Sequence, residues 1–502
     1  MKNTFIQKLR EENNYTLTEN GGVAYKSTLS AIYDLFAFGG AYRSRSDEDC
    51  ILLFKNAFEE NKTLALKCLF YLRDARGGAG ERRFFRVCIN WLAKEYPEIA
   101  KNFIEEIPFY GRYDDLYCLT ETPLEEDMFN FIKNQLKTDL KSLSNSENTG
   151  ISLLAKWVKS ENASSKETKE LARKTREHMN LSHKQYRKML SYLRTRINIL
   201  EKLMSENRWD EIEFDKIPSK AGLIYRNAFA RNDITAKRYA DFIHNKNTKV
   251  NAGTLYPYEI VNKVTSKISD FSGLRISATE REALQKYWDN QIDYLDGKKC
   301  KMMCVVDTSG SMTWGNGKIQ PIDVAISLGM YCAERIGEPF KDYFISFSSE
   351  PTLIKVEGVD FVDKVRRIYA QNLCDNTDLA AVFNLLKKLY LDGEVKASDL
   401  PDTLVCISDM EIDEGSYWRS SEQTETEMEK IRKDWASAGL ILPKLVFWNV
   451  NARRNIVLDK GKGISLVSGC SPVVFKTLMS GKSSIDLMLE ILLSDRYAKI
   501  EG

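Results

Sequence analysis

The feature that most constrains the fold is a change in hydrophobic pattern near residue 300. Before about residue 295, apolar residues recur at i, i+3, i+4 and i+7, which predicts amphipathic helices. After Lys301, short and nearly continuous apolar runs alternate with helical patterns. That alternation is typical of strands that are buried on both faces of a parallel sheet. The sequence therefore predicts a helical domain over residues 1–295 and an α/β domain over residues 296–502.

The helical domain is predicted to consist of short helices joined by short turns, with no strand signal between them. Such helices stack in pairs as a solenoid of helical repeats of the HEAT type. The clearest segments are Asp49–Phe58, Thr63–Arg73, Phe84–Lys94, Leu124–Leu143 and Tyr186–Met204. A capping box formed by Ser277 and Glu280 predicts one more helix, which ends at about Asp293.

The α/β domain is predicted to be a doubly wound fold with a parallel sheet of six strands. Five apolar runs predict strands at Met302–Val306, Tyr343–Phe347, Thr403–Ile407, Leu445–Val450 and Ile464–Val467. Helical patterns separate or follow them at Ile322–Ile336, Leu379–Leu389, Glu425–Ala438 and Ser471–Met479.

Composition excludes several classes of protein. Apolar residues make up 43% of the chain, so a sizeable core is expected and wholesale disorder is excluded. No run of 18 apolar residues occurs and the N-terminus lacks an apolar signal-peptide core, so no membrane association is expected. The ten cysteines are scattered and only three histidines are present. Free thiols in the cytoplasm or nucleus are therefore expected, without structural zinc.

A set of oxygen-bearing side chains follows the predicted strands. Asp307, Ser309 and Ser311 form a D-x-S-x-S string directly after the strand Met302–Val306. Thr377 precedes the next amphipathic helix, and Asp409 follows the strand Thr403–Ile407. Ligands of open parallel sheets bind beyond the carboxyl ends of the strands. Carboxylate and hydroxyl oxygens suit Mg²⁺, so the spacing predicts a site for Mg²⁺ or another divalent cation.

The same residues could instead have purely structural roles. The two serines could cap a helix, and the last aspartate could be an ordinary turn residue at a strand end. A phosphatase would need a second carboxylate at Ser309, and the histidines His178, His183 and His244 all lie in the helical domain. Cation binding without catalysis is therefore the favoured prediction.

This arrangement resembles the metal-ion-dependent adhesion site of von Willebrand factor A domains. The resemblance covers residues 296–502 and all five ligand positions. It implies direct coordination by Ser309, Ser311 and Thr377, and contact through water for Asp307 and Asp409. It also implies an open coordination position for an Asp or Glu carboxylate of a protein partner. The chain departs from the family at the residue after the last aspartate, which is methionine rather than glycine.

A basic block lies in the helical domain. Residues 151–250 contain 22 Lys or Arg against 12 Asp or Glu, although the whole chain has a net charge of only +2. Within this block, cations are interleaved with His and Tyr, a combination that single-stranded RNA binders use. The alternative is a solvated, lysine-rich helical surface in which Tyr186 is part of the core. The candidate RNA-binding residues are Arg173, Arg176, His183, Lys184, Arg187 and Lys188.

A glycine-rich turn flanked by arginines spans Arg73–Arg83. It could bring backbone N–H groups and guanidinium groups to a phosphate. We favour instead a tight turn between helices, in which Asp74 and Glu81 pair with the arginines. The segment Tyr110–Leu116 is interpreted as a helix start.

The order of the two domains resembles the Ro autoantigen group, whose RNA-binding region is the TROVE domain. Three segments resemble segments of that family: Leu181–Lys184, Gly111–Asp115 and Ile217–Ser219. Within the group, the chain resembles an uncharacterised Ro-like branch. The resemblance implies a ring of helical repeats that binds single-stranded or small structured RNA.

The leading hypothesis is therefore a non-catalytic RNA-binding scaffold with a Mg²⁺-dependent ligand site. The alternative is an adhesion-type protein-interaction scaffold without nucleic acid, and a weaker alternative is a metal-dependent hydrolase.

Overall fold

The chain folds into a mostly helical N-terminal part and a C-terminal part built on a six-stranded sheet. The structure, a computed structural model, describes residues 14–18, 23–144, 150–197, 199–268, 276–296, 300–313, 319–371, 378–411, 427–458, 464–478 and 484–501. The predicted boundary between residues 295 and 296 falls after the last N-terminal helix, which ends at Asp289, and before the strand that begins at Met302.

The N-terminal part contains two short strands and fifteen α-helices among the described residues. The antiparallel strands are β1 (Tyr15–Leu17) and β2 (Val23–Tyr25). The first helices are α1 (Ala31–Phe38), α2 (Asp47–Glu60), α3 (Lys62–Arg73), α4 (Arg82–Glu95), α5 (Pro97–Lys101), α6 (Ile107–Tyr110) and α7 (Glu125–Ser144). They are followed by α8 (Leu154–Trp157), α9 (Lys166–His178), α10 (His183–Arg196), α11 (Leu200–Ser205), α12 (Ser219–Arg231), α13 (Ala236–His244), α14 (Pro257–Ile268) and α15 (Ala278–Asp289).

The helix starts follow from local sequence signals. Ser46 caps α2 by accepting a hydrogen bond from the backbone N–H of Asp49 at 3.1 Å. Asn61 caps α3 in the same way, through the N–H of Leu64 at 3.0 Å. These side chains satisfy backbone donors that have no partner within the helix.

The C-terminal part is a mixed sheet with helices between its strands. The strands are β3 (Met302–Asp307), β4 (Tyr343–Phe347), β5 (Leu353–Lys355), β6 (Thr403–Ser408), β7 (Lys444–Asn449) and β8 (Ile464–Ser468). They lie in the order β5-β4-β3-β6-β7-β8. The helices are α16 (Pro321–Arg335), α17 (Phe361–Tyr369), α18 (Leu379–Leu391), α19 (Glu427–Ser437), α20 (Val473–Leu478) and α21 (Ser484–Leu492).

The prediction of an entirely parallel sheet is wrong at one edge. The strand β5 pairs antiparallel with β4, whereas the other neighbouring strands pair in parallel. It has three residues, of which only Ile354 is buried. An edge strand that buries one side chain leaves no apolar run in the sequence, which is why the pattern did not reveal it.

The predicted helix Tyr186–Met204 is interrupted. The backbone leaves the helical conformation at Ile197, and Ile199 is extended before α11 begins at Leu200. The apolar residues of the interruption continue the helical spacing, which misled the prediction. Ile197 and Ile199 instead face a cavity within the helical part.

The predicted capping box at Ser277 is only half right. Ser277 accepts a hydrogen bond from the backbone N–H of Glu280 at 3.3 Å, as a helix cap does. The Glu280 carboxylate binds Arg226 and Lys267 instead of returning to the cap, and α15 ends at Asp289. The buried carboxylate is therefore used to join neighbouring helices.

The first helices of the chain pack against its last strand. The backbone N–H of Leu466 in β8 donates to the Tyr33 hydroxyl at 2.9 Å. The N–H of Gly40 donates to Ser468 Oγ at 3.0 Å. A Cβ atom at Gly40 would lie 2.8 Å from the carbonyl oxygen of Ser468, so this close approach requires glycine.

The last helices of the N-terminal part also contact the C-terminal part. The Asn262 side chain donates to Asp323 Oδ2 at 2.8 Å. The Trp288 ring stacks on Phe361 with 4.8 Å between ring centroids. The helical part is therefore joined to the sheet domain at both ends of its length.

All nine cysteines within the described residues are free. None of the helices described is both long enough and apolar enough to cross a membrane.

Candidate cation site and basic cavity

The predicted oxygen ligands meet at the carboxyl ends of the two central strands. Asp307 is the last residue of β3, and β6 ends beside it at Ser408. The Ser408 hydroxyl donates to Asp307 Oδ2 at 2.5 Å, and the backbone N–H of Ser309 donates to Asp307 Oδ1 at 2.9 Å. The adjacent strands therefore fix this buried carboxylate from both sides.

A chain of polar contacts links both serines to the second aspartate. Ser309 Oγ lies 3.0 Å from Ser311 Oγ, and the Ser311 hydroxyl lies close enough to Asp409 to favour the ionised form of that carboxyl. The structure thus brings together four of the five predicted ligands. The fifth, Thr377, lies outside the described residues.

The two carboxylates lie in an environment that disfavours their charges. Asp307 and Asp409 are 0% and 1% exposed. Burial and the neighbouring Asp409 raise the pKa of Asp307 to about 7. Burial also raises the pKa of Asp409, although the Arg453 guanidinium opposes that shift. A cation between the two carboxylates would relieve their repulsion.

The donor set fits a hard divalent cation. It offers two carboxylates and two hydroxyls, the oxygen ligands that Mg²⁺ prefers, and waters complete such sites. Within the described part of the chain, no three Asp, Glu, His or Cys residues are grouped so that they could hold a metal. A softer metal that needs thiolate or imidazole ligands does not match this site.

Met410 keeps the backbone conformation that a glycine would adopt. Its φ is +68°, in the left-handed region that is unfavourable for a side chain with a Cβ atom. Its N–H donates to Ser408 Oγ at 2.9 Å, and its side chain is buried. The departure from the glycine of the adhesion-site pattern therefore leaves the turn in place.

Arg453, which was not predicted from the sequence, also contacts this site. Its Nη2 donates to Asp409 Oδ2 at 3.0 Å. The loop that carries Arg453 also touches the helical part, since the N–H of Ala452 donates to the carbonyl oxygen of Ala41 at 3.0 Å. The cation site and the contact between the two parts of the chain therefore share one loop.

A second candidate site is a cavity of about 1130 Å³ within the helical part. Residues near the start and near the end of the helical part meet beside it, since Arg43 Cζ lies 5.9 Å from the ring centroid of Tyr258. Gly80 has φ +70°, and a Cβ atom there would lie 1.5 Å from the Tyr256 hydroxyl oxygen. Early and late segments of the helical part therefore close around the cavity, and the close approach of Gly80 to Tyr256 requires glycine.

The walls of the cavity are strongly basic. Seven arginines and three lysines line it, against four glutamates and no aspartate. Six of these cations have carboxylate partners. The ion pairs are Arg43–Glu81, Arg73–Asp115, Arg83–Asp47, Arg86–Asp114, Lys216–Glu213 and Lys220–Glu259. The other four, Arg76, Arg82, Arg112 and Lys156, have no carboxylate partner among the described residues.

The interpretation of the arginine-flanked turn is wrong about its ion pairs. Asp74 binds Arg496 near the end of the chain, and Glu81 binds Arg43. Neither carboxylate neutralises Arg76 or Arg82. The turn therefore presents uncompensated positive charge to the cavity.

Three of the predicted RNA-binding residues are already engaged by glutamates. Arg173 pairs with Glu170 and Glu177, and Arg176 pairs with Glu161 at 2.8 Å. His183 Nε2 lies 3.2 Å from the same Glu161. The charges of the two arginines are thus partly compensated on the outer surface.

The other three candidates, Lys184, Arg187 and Lys188, are exposed and have no carboxylate partner among the described residues. Tyr186 is 1% exposed and donates to the carbonyl oxygen of Lys159 at 2.8 Å, so it belongs to the core and cannot stack on a base. None of the six candidates lines the cavity.

Sequence reasoning missed Arg112, Lys156 and Trp157 as candidate binding residues. Arg112 Cζ and Lys156 Nζ lie 4.7 Å and 5.8 Å from the centroid of the Trp157 ring. Two of these residues are adjacent, but Arg112 is more than forty positions away. Only the folding of the helices brings them together.

Two family models match the chain, and both describe domains of unknown function. DUF2828 matches residues 18–107 and 158–302, and DUF7788 matches residues 301–496. An uncharacterized protein of Acanthamoeba polyphaga mimivirus is 29% identical over 95% of this chain and 87% of its own length.

Among solved structures, the chain is similar to the RO (RSR) protein of Deinococcus radiodurans. The identity is 11% and the TM-score is 0.35, over 93% of this chain and 99% of that one.

Proposed function

We propose that the protein is a non-catalytic RNA-binding scaffold that holds single-stranded RNA in the basic cavity of its helical part. The observation that carries this proposal is the positive charge of the cavity wall, which is lined by ten cationic residues and only four anionic residues. Clustered cations favour a polyanion, because its binding releases condensed counterions. The N-terminal and C-terminal parts together would form the scaffold around it.

The cavity also offers aromatic side chains. Tyr113, Trp157 and Tyr225 are partly exposed and line its wall. Bases of unpaired RNA stack on such rings with little dependence on sequence. Cations for the backbone and rings for the bases are the two requirements for binding a single strand.

The outer surface would make a smaller contribution. Lys184, Arg187 and Lys188 are available for phosphate contacts, whereas Arg173, Arg176 and His183 would first have to exchange their glutamate partners. We therefore place the main RNA contacts in the cavity and an auxiliary contact on α10.

Labelled single-stranded RNA is expected to bind the protein with an affinity that falls about tenfold or more between ~50 and ~200 mM salt. Replacing three cavity cations that have no carboxylate partner among the described residues (Arg76→Gln, Arg82→Gln and Lys156→Gln) should weaken binding and flatten the salt dependence by about two units of slope. The measurement is fluorescence anisotropy at several salt concentrations.

The matched control replaces Lys184, Arg187 and Lys188 with Gln, which removes the same charge from the outer surface. This variant should lose less affinity than the cavity variant. Absence of RNA binding, or binding with no salt dependence, would reject the proposal.

We further propose that Asp307, Ser309, Ser311 and Asp409, with Thr377, hold Mg²⁺ or a similar divalent cation. The support is the pair of buried carboxylates beside two hydroxyls at the strand ends. Such a cation would recruit a partner through an Asp or Glu carboxylate or would stabilise the loops. This site supports a second candidate function, an adhesion-type protein scaffold without RNA. That function is the one we would retain if the protein does not bind RNA.

Mg²⁺ is expected to bind the protein and raise its melting temperature, because it offsets the repulsion between the two buried carboxylates. The Asp307→Asn variant should lose about tenfold or more in Mg²⁺ affinity and most of the Mg²⁺-dependent rise in melting temperature. Isothermal titration calorimetry and thermal unfolding measure the two effects. The control is Asp392→Asn, which changes an exposed aspartate of the same domain. Equal Mg²⁺ binding by both variants would exclude this site.

A further inference from the structure

One wall of the cavity concentrates cations that form no ion pair within the described part of the chain. Arg82, Arg112 and Lys156 line it, and none of them forms an ion pair within the described part of the chain. Their neighbours Arg73 and Arg86 are neutralised by Asp115 and Asp114. The three uncompensated cations are called the Arg112 cluster below.

The members of the Arg112 cluster lie close to one another. Arg112 and Lys156 both place their charged groups over the Trp157 ring, at 4.7 Å and 5.8 Å from its centroid. Arg82 is near enough that its charge disfavours that of Arg112. Burial and the repulsion from Arg82 and Arg73 lower the pKa of Arg112, although Asp114 and Asp115 oppose that shift. An anion that binds between these groups removes a repulsion that exists in the free protein.

The supporting residues hold this cluster in place before any ligand binds. The Arg194 guanidinium donates to the carbonyl oxygens of Ala155 and Val158 and to Ser160 Oγ, each at 2.8 Å, and so fixes the segment that carries Lys156 and Trp157. On the other side, the backbone N–H of Arg112 donates to buried Asp115 at 2.9 Å. A site whose groups are already oriented loses little entropy on binding.

We infer that the Arg112 cluster is a recognition site for a terminal phosphate group of RNA, a more specific role that rests on the proposed RNA-binding function. A phosphate monoester carries a charge of about −1.5 to −2 near pH 7, whereas each internal phosphodiester carries about −1. Three uncompensated cations match the doubly charged end better than the singly charged backbone. Guanidinium groups also bind phosphate oxygens in a bidentate manner.

The test compares short RNAs of one sequence that differ only at their ends: a 5′-phosphate, a 3′-phosphate, or hydroxyl groups at both ends. The wild-type protein should bind one of the phosphate-ended RNAs about tenfold more tightly than the hydroxyl-ended RNA. Inorganic phosphate should reduce this preference by competing for the site. The end that gives the preference identifies the orientation of the strand.

In the single variants Arg112→Gln and Lys156→Gln, the phosphate-ended and hydroxyl-ended RNAs should bind with about equal affinity. The preference should persist in Lys220→Gln, a cavity residue that is already paired with Glu259, and largely persist in Arg112→Lys, which keeps the charge. If Arg112→Gln does not fold, Lys156→Gln decides. Equal binding of all three RNAs by the wild-type protein would overturn the inference and leave the RNA proposal intact. Failure of every RNA to bind would overturn both.

Discussion

The Asp115→Ala variant is expected to have a free energy of unfolding about 3–5 kcal/mol lower than that of the wild-type protein, because it breaks a buried ion pair. Asp115 is 0% exposed and accepts hydrogen bonds from Arg73 Nε and Nη2 at 2.9 and 2.6 Å and from Arg86 Nε at 2.6 Å. Removing the carboxylate leaves the Arg73 guanidinium, which is 2% exposed, without its partner. Urea unfolding followed by circular dichroism measures the loss.

Asp127→Ala provides the comparison for this variant. Asp127 forms an exposed ion pair with Lys101, and such pairs contribute about 0–1 kcal/mol. A loss for Asp115→Ala no larger than that of Asp127→Ala would show that the buried network does not stabilise the fold.

The Asp74→Ala variant is expected to lower the free energy of unfolding by about 2–3 kcal/mol. It removes the acceptor of several hydrogen bonds between the end of α3 and residues 496–497. The Asp74 carboxylate is 0% exposed and accepts from Arg496 Nη2 at 2.7 Å and from the Tyr497 hydroxyl at 3.0 Å. Asp495→Ala, which changes an exposed aspartate beside Arg496, should have little effect.

The contribution of Asp74 should also depend on pH. Burial alone would raise its pKa, but hydrogen bonds from Arg496 and from the backbone of Arg76 and Gly77 hold the pKa of Asp74 below its ordinary value. The stabilisation is therefore complete above the unfolded-state pKa of about 3.9 and is lost as the pH falls through the lowered pKa. The difference in unfolding free energy between the wild type and Asp74→Ala should therefore be smaller at pH 3 than at pH 7. A difference that stays constant would contradict this account.

Features that depend on neighbouring residues could be predicted from the sequence. The five predicted strands appear in the sheet because their apolar runs are continuous. The D-x-S-x-S string lies at the end of β3, and Asp409 follows β6, so the order of the strands brings the two loops together. Strand β5 escaped prediction because it buries a single side chain at the edge.

Features that depend on distant residues could not be predicted. Asp74 and Arg496 are 422 positions apart, and no local pattern indicates their contact. The cations of the Arg112 cluster come from segments that are far apart in the sequence. The local density of Lys and Arg indicated the outer surface of α10 instead. Arg194 lies on the same helix, but its guanidinium points inward to the carbonyl oxygens of a neighbouring segment.

The packing of α1 against β8 has a consequence for how the chain folds. Gly40 and Ser468, which are joined by a hydrogen bond, are separated by 428 positions. Contacts at such separation give a high contact order, and the entropy lost in closing so long a loop must be offset before they form. During synthesis, α2 and α3 can cover part of α1 early, but the face of α1 that packs on β8 stays uncovered until nearly the whole polypeptide has emerged. A ribosome that stalls in the sheet domain thus leaves this face exposed to aggregation or to chaperones.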